Sequence, residues 1–292
     1  PVVGMDPVVQ YVWNREDGPS PRPKEMTALH AATSPASDGS IPYSEGNTDD
    51  VNKFIWSGRN WDPSLSGEQI AYQYARWFFG PECACQASEL ILKVEDILNR
   101  PLYGNPAVKE ARELVEACER GKPALLNNWR WLSLRLGALM LDHIQQVVYR
   151  DRQLAAQLRY RVAVWRSWPD PTPGLRQTLH FLERQFATTD GLLREIVWTR
   201  DKLFALQKLA VRGVARLQNS YLHLDVLLEE WKKVLQRLEK GELETFPEKY
   251  AAILGPAAQA EDSQRMAVEG IPLIEHIQEF AWEKGATTWK WA

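Results

Sequence analysis

From residue 66 onward, the apolar positions recur at helical spacing and the breaks between them are well marked. In "SGEQIAYQYARWFFGP", Ser66 stands where an N-cap belongs, Gln69 holds the capping-box position, and Gly80-Pro81 ends the run. The spacing predicts further helices over 82–99, stopped before Pro101, and over 106–120, with Pro106 in the first turn and Gly121 after the end. Between Pro123 and Trp165 only Gly137 interrupts the pattern. "WPDPTPG", 168–174, reads as a hinge. One or two long helices are expected over 175–240, and a last one over 257–284. The series Leu217, Tyr221, Leu224, Leu228, Trp231, Leu235, Leu238 alternates steps of four and three, which is a heptad seam. "ATTWKWA", 286–292, reads as a tail.

The first 62 residues have a different pattern. Short apolar runs ("VVQYVW", "GSIPYS") lie between Pro- and Gly-rich stretches ("GPSPRP", "SPASDGSIP"), predicting strands and loops with one short helix near 23–32. The expected architecture is mainly α: an antiparallel helical array over 63–292, preceded by a short α/β segment over 1–62. Such a segment can hardly bury a sheet alone, so it packs on the helices or belongs to a larger domain. The abrupt, strand-like start at Pro1 adds the expectation of a chain cut upstream.

Composition narrows the function classes. The chain is 45% apolar and 25% charged, as expected of a folded globular protein. A formal charge of −3, with basic and acidic residues interleaved along the helices, gives no footprint for nucleic acid. No run of 18 apolar residues is present to span a membrane. Thirteen Trp is the compositional outlier. Trp faces stack on sugar rings, but Trp129, Trp198 and Trp231 fall at helix-core spacing and read as packing. Cys83, Cys85 and Cys118 lack a zinc spacing and read as buried thiols. His30, His143, His180, His223 and His276 form no paired ligand set, and His143 and His223 read as core or boundary histidines. The cations beside Trp in "GLLREIVWTRDKLF" and "RYRVAVWRSW" suggest cation–π faces. No phosphate loop, nucleophile elbow or dinucleotide fingerprint occurs, so no cofactor or metal is expected.

Candidate chemistry gathers in "SDGSIPYSEGNTDDVNKFIWSGRNWDP", 37–63. A strand through Ser44 would deliver Glu45 to the loop beyond it, with Gly46 to turn the chain. Asp49 and Asp50 would occupy the first turn of a helix through Trp56, where negative charge is favoured. A carboxylate at the C-terminal end of a barrel strand faces the active side, and Glu45 fits that position. The plain alternative is a carboxylate bound to turn amides, with capping and ion pairing for Asp50, Asn52 and Lys53.

This segment, with "PSPRPKEMTALHAATSPA" before it and "AYQYARWFFGPE" after it, resembles the end of the catalytic barrel in a group of bacterial glycoside hydrolases. Their layout is related to hexosaminidase- and α-glucuronidase-like (β/α)8 barrels. The resemblance spans residues 19–82, although "SGRNWDP" departs from the usual Leu-Gly-Trp ending and the earlier barrel strands are missing. It implies that 1–62 is the end of a catalytic barrel and 63–292 a helical C-terminal domain. It further implies a carbohydrate substrate and a periplasmic or secreted location. Matched residue by residue, Glu45 becomes the candidate catalytic carboxylate, and Tyr43, Asp49, Asp50, Asn52 and Lys53 the candidate substrate-binding residues. Glycoside hydrolysis commonly uses two carboxyl groups, so a second would lie on an upstream strand and this chain alone would be inactive. The alternative reading is a helical interaction or scaffold protein that self-associates through the heptad seam.

Overall fold

The computed structural model describes residues 19–36, 39, 49–186, 191–208 and 224–247. Nine α-helices account for most of them: α1 Pro23–Thr33, α2 Asp50–Trp61, α3 Gly67–Phe79, α4 Ala84–Leu98, α5 Ala107–Gly121, α6 Trp129–Trp165, α7 Thr172–Phe186, α8 Gly191–Gln207 and α9 Leu224–Glu239. Short 3₁₀ turns follow α1 and precede α6.

The helix boundaries follow the local chemistry. The Ser66–Gln69 capping box at the start of α3 is present in both directions, and Gly80 ends the helix at φ 94°, a backbone angle that side chains with a Cβ resist. Asn128 caps α6 by accepting from the amides of Arg130 and Trp131, while its own amide donates to the Phe78 carbonyl at 2.8 Å. One side chain thus starts α6 and fastens it to the end of α3.

The helix α6 is the spine. Its 37 residues extend about 55 Å and run through two hydrophobic clusters. The first half contributes Trp131, Leu132, Leu136, Leu139 and Met140 to a core shared with α1 to α5 and α8. The second half contributes Leu154, Leu158, Val162 and Trp165 to a smaller core closed by α7 and α9. There the Trp165 indole donates to Thr178 Oγ1 at 2.9 Å, and the rings of Trp165 and Trp231 both meet Phe246 edge-on.

Several expectations change here. No strand occurs among the described residues, so the α/β character expected of the first 62 residues has no support. The proposed strands over "VVQYVW" and most of "GSIPYS" lie outside the described residues. What is described before residue 63 is helical: α1 where a short helix was expected, and α2 extended one turn and more beyond Trp56, to Trp61. Nor does the packing break at residue 62, because Met26, Val51 and Ile55 join the same core as Ile70 and Tyr74. The change of core falls instead midway along α6, beyond Val148. Among the described residues of 175–240 three helices occur where one or two were expected: α8 packs on the long helix α6, while α7 and α9 pack on each other. Of the heptad seam, Leu224, Leu228, Trp231 and Leu238 are buried within the chain and Leu235 packs against them. Leu217, Tyr221, the helix over 257–284 and the terminal tail lie outside the described residues.

Candidate functional site

Four of the six residues singled out by the sequence are described, all on or just before α2. Tyr43 and Glu45 lie outside the described residues. Asp49 stands at the N-cap position of α2, and Asp50 follows in its first turn.

The carboxylate of Asp50 is the centre of a compact polar cluster. Its Oδ2 accepts from Tyr74 Oη of α3 at 2.7 Å and from Arg130 Nε of α6 at 2.6 Å, and Arg130 Nη2 donates to Oδ1 at 3.3 Å. This two-point grip fits the planar guanidinium, whose donors match a carboxylate edge. Arg130 is stacked as well as paired: its guanidinium carbon lies 4.0 Å from the Phe78 ring centroid and 4.3 Å from that of Trp129. Burial drives the Tyr74 phenol far above its ordinary pKa, and the adjacent Asp50 charge adds to the effect. The phenol therefore remains a hydrogen-bond donor at any physiological pH.

Asn52 turns elsewhere. Its Oδ1 accepts from the Arg22 amide at 2.7 Å and its Nδ2 donates to the Ser20 carbonyl at 2.8 Å, so it ties α2 to the segment leading into α1. Asp49 and Lys53 are half-buried and already engaged in contacts of their own. The structure thus separates Asp50 and Asn52 onto two different supports. Asp50 makes the ion pair that stood as its plain alternative, whereas Asn52 neither caps a helix nor pairs with a charge but ties two segments together.

Between Asp50, Tyr74 and Arg130 lies a narrow cleft, also lined by Pro19, Trp129 and Ser133. At about 10 Å³ it falls far below the roughly 300 Å³ at the small end of ligand pockets, so a sugar ring cannot enter it.

The partners Tyr74 and Arg130 were not foreseen. The stretch "NNWRWL" held the clue, since Asn128 at a helix start places Arg130 in the first turn; the 80-residue separation from Asp50 hid the pairing. Glu95 was also missed. It is 1% exposed, and its carboxylate accepts from the amides of Lys24 and Glu25.

Other polar groups serve packing. Arg135 donates to Glu119 at 2.8 Å, to Glu195 at 3.0 Å and to Thr199, joining α5, α6 and α8. Arg112 reaches the same Glu195 at 3.1 Å. His30 is buried, bonded through Nε2 to Asn60 and edge-on to Trp56; His143 is buried as well, as expected. Cys83 and Cys118 are buried, and burial lifts the Cys118 thiol to about 12, with the neighbouring Cys83 and the Glu119 charge adding to it, so it stays protonated. Cys85 departs from expectation and is exposed, because it follows the N-cap Cys83 on the outer face of α4. Among the three Trp read as packing, only Trp231 is fully buried; Trp129 is half-buried against Arg130, and Trp198 is 44% exposed beneath the cations of Lys202 and Arg135. In the "RYRVAVWRSW" stretch, Arg161 stacks on Phe181 and not on a Trp.

Among the described residues, no group of three or more His, Cys, Asp or Glu is placed to hold a metal ion, and no helix is long and apolar enough to cross a membrane. The fold and cluster together define a two-core helical array whose α2 start is clamped on several sides. In comparisons with known proteins, no family model, no curated protein and no solved structure matches this chain.

Proposed function

We propose that this chain is the helical portion of a carbohydrate-active glycoside hydrolase. In this reading the helices form a platform for the segment that carries Tyr43 and Glu45. The observation that carries the proposal is the motif itself, Tyr43-Ser-Glu45-Gly followed by Asp49-Asp50-Val-Asn52-Lys53, on the residues where a barrel strand would hand over to helices.

The geometry supports a division of labour within that motif. Asp50 and Asn52 are consumed in holding the start of α2 against α3, α6 and residues 20–22. Sugar chemistry then falls to Glu45 and Tyr43, and Glu45 stands only five residues before Asp50, within about 18 Å of it by chain length. A firm anchor close behind a catalytic loop is what an acid–base or nucleophilic carboxylate requires, since small displacements of a reacting group cost large factors in rate. A secreted or periplasmic setting follows from the same proposal. Burial of the described part of the heptad seam inside the chain counts against the interaction-protein reading.

The test is hydrolysis of a panel of aryl glycosides by the protein as its source cell makes it, compared with the Glu45→Gln form. Turnover that Glu45→Gln reduces by about a hundredfold or more supports the proposal. Turnover unchanged by the substitution, or no turnover on any glycoside, overturns it.

A further inference from the structure

The hydroxyl of Ser133 raises a question that the clamp around Asp50 does not answer. Ser133 lies on the buried face of α6, is 6% exposed, and its Oγ has no hydrogen-bond partner among the described residues. An isolated buried hydroxyl is costly, and native proteins rarely keep one without a partner. This serine lines the cleft whose other polar walls are the Asp50 carboxylate, the Tyr74 phenol and the Arg130 guanidinium. Its apolar walls are Pro19, Pro21, Val51, Trp129 and Leu134.

The size and chemistry of the cleft select its occupant. About 10 Å³ is the space of one water molecule and excludes any organic ligand. A free anion or cation gains little there, because the Asp50 and Arg130 charges already neutralise each other across 2.6 Å. A neutral molecule that both donates and accepts suits every wall: it can take or give a hydrogen bond at Ser133 and use a remaining lone pair of Asp50.

We propose that this cleft is a binding site for a single structural water, held by Ser133 Oγ and by at least one of Asp50, Tyr74 and Arg130. The water completes the clamp: it extends the polar contact of α2 with α6 by one helical turn, from Arg130 to Ser133. It also supplies the partner that the serine lacks. This site stands whether or not the chain takes part in sugar chemistry.

The experiment is a high-resolution crystal structure of the wild type and of Ser133→Ala, with thermal unfolding of both. The expected result is one ordered water within about 3.2 Å of Ser133 Oγ and of a second clamp atom, lost in the variant, with Tm lowered by about 2–4 °C. A wild-type cleft without that water, or a Ser133→Ala form that gains Tm, overturns the proposal, because deleting a dry unpartnered hydroxyl stabilises a protein. Ser133→Cys, of similar size but a weaker hydrogen-bonding group, is expected to fall between the two in Tm; equality with the wild type would also count against the water.

Discussion

The carboxylate of Glu95, on the buried face of α4, accepts from the Lys24 amide at 3.1 Å and from the Glu25 amide at 3.0 Å, and so caps a helix 70 residues upstream. Helix α1 has no side-chain cap of its own at Arg22, and Pro23 fills its first position, which has no N–H to satisfy. Glu95 serves the next two orphan amides and places negative charge at the positive end of the helix. Removing it in Glu95→Ala is expected to cost about 1–2 kcal/mol, measured as a shift in urea midpoint.

The same residue predicts an unusual pH dependence. Burial raises the Glu95 pKa above its ordinary 4.5, and the amides with Lys24 and Arg22 offset this only in part. Between 4.5 and the higher folded value, the folded protein keeps a proton that the unfolded chain releases. The proton-linked part of the Glu95 contribution is therefore fully present below 4.5 and is lost as pH rises through the folded value, opposite to the usual carboxylate, while the bonds to the α1 amides remain. Glu95→Gln removes this slope. The stability of the wild type relative to that variant should fall as pH is raised from acid to neutral. A difference independent of pH would show that Glu95 is not the titrating group.

The Asp50–Arg130 pair offers a second test. Both side chains are about one-quarter exposed, so solvent screens part of the attraction, while the two-point geometry preserves some of it. A double-mutant cycle with Asp50→Ala and Arg130→Ala should return a coupling of about 1 kcal/mol. Tyr74→Phe should cost a similar amount, about 1 kcal/mol, because it removes one hydrogen bond and leaves the aromatic packing of Tyr74 on Phe54 and Phe79. Additive single effects would mean that Arg130 acts through its stacking on Phe78 and Trp129 alone.

What the sequence made legible divides along physical lines. Local signals carried well: the Ser66–Gln69 box, the Gly80 stop and the uninterrupted pattern after Pro123 needed only neighbours a few residues away. The strand readings within 1–62 rested on short apolar runs between Pro and Gly, and those runs lie outside the described residues. In α2, where a helix through Trp56 was expected, Val51 and Ile55 recur at the helical step of four and the helix continues to Trp61. Pairings across long separations were hidden, as with Asp50 and Arg130 or Glu95 and Lys24. A charged residue's partner is set by how helices pack, and spacing along the chain says nothing of it. The chemistry assigned to Asp50 and Asn52 followed from a motif, whereas their hydrogen bonds are spent on holding α2.

Arg135 makes the third case, and the contrast with Arg112 sharpens it. Arg135 is 8% exposed and Arg112 20% exposed, yet both bind Glu195. Arg135→Met leaves Thr199 without its buried donor and Glu119 with only the Trp131 indole, and should cost about 3 kcal/mol. Arg112→Met leaves groups that water can reach and should cost about 1 kcal/mol or less. Hydrogen exchange of α8 should rise in the Arg135 variant, since the network and Leu192, Ile196 and Leu203 together dock that helix. Equal losses for the two variants would mean that burial does not rank these ion pairs.

The close approach of α6 and α7 yields the last prediction. A Cβ built on Gly174 would run into the base of the Trp165 side chain. Trp165 has nowhere to move: it is 3% exposed, its indole nitrogen is bonded to Thr178, and its ring abuts Phe246. Gly174→Ala must therefore push α7 away from the end of α6 and loosen the smaller core, at a cost of about 2 kcal/mol or more. Gly121, the last residue of α5, has nothing within 4 Å of the added methyl, and there alanine should gain about 0.5 kcal/mol through helix propensity. The two variants add the same atom to helical glycines, so opposite shifts in urea midpoint would isolate packing from propensity. Near-ultraviolet circular dichroism should change only in Gly174→Ala, as the Trp165 environment is disturbed. If Gly174→Ala matched Gly121→Ala, the contact between α7 and Trp165 would have to be looser than the structure has it.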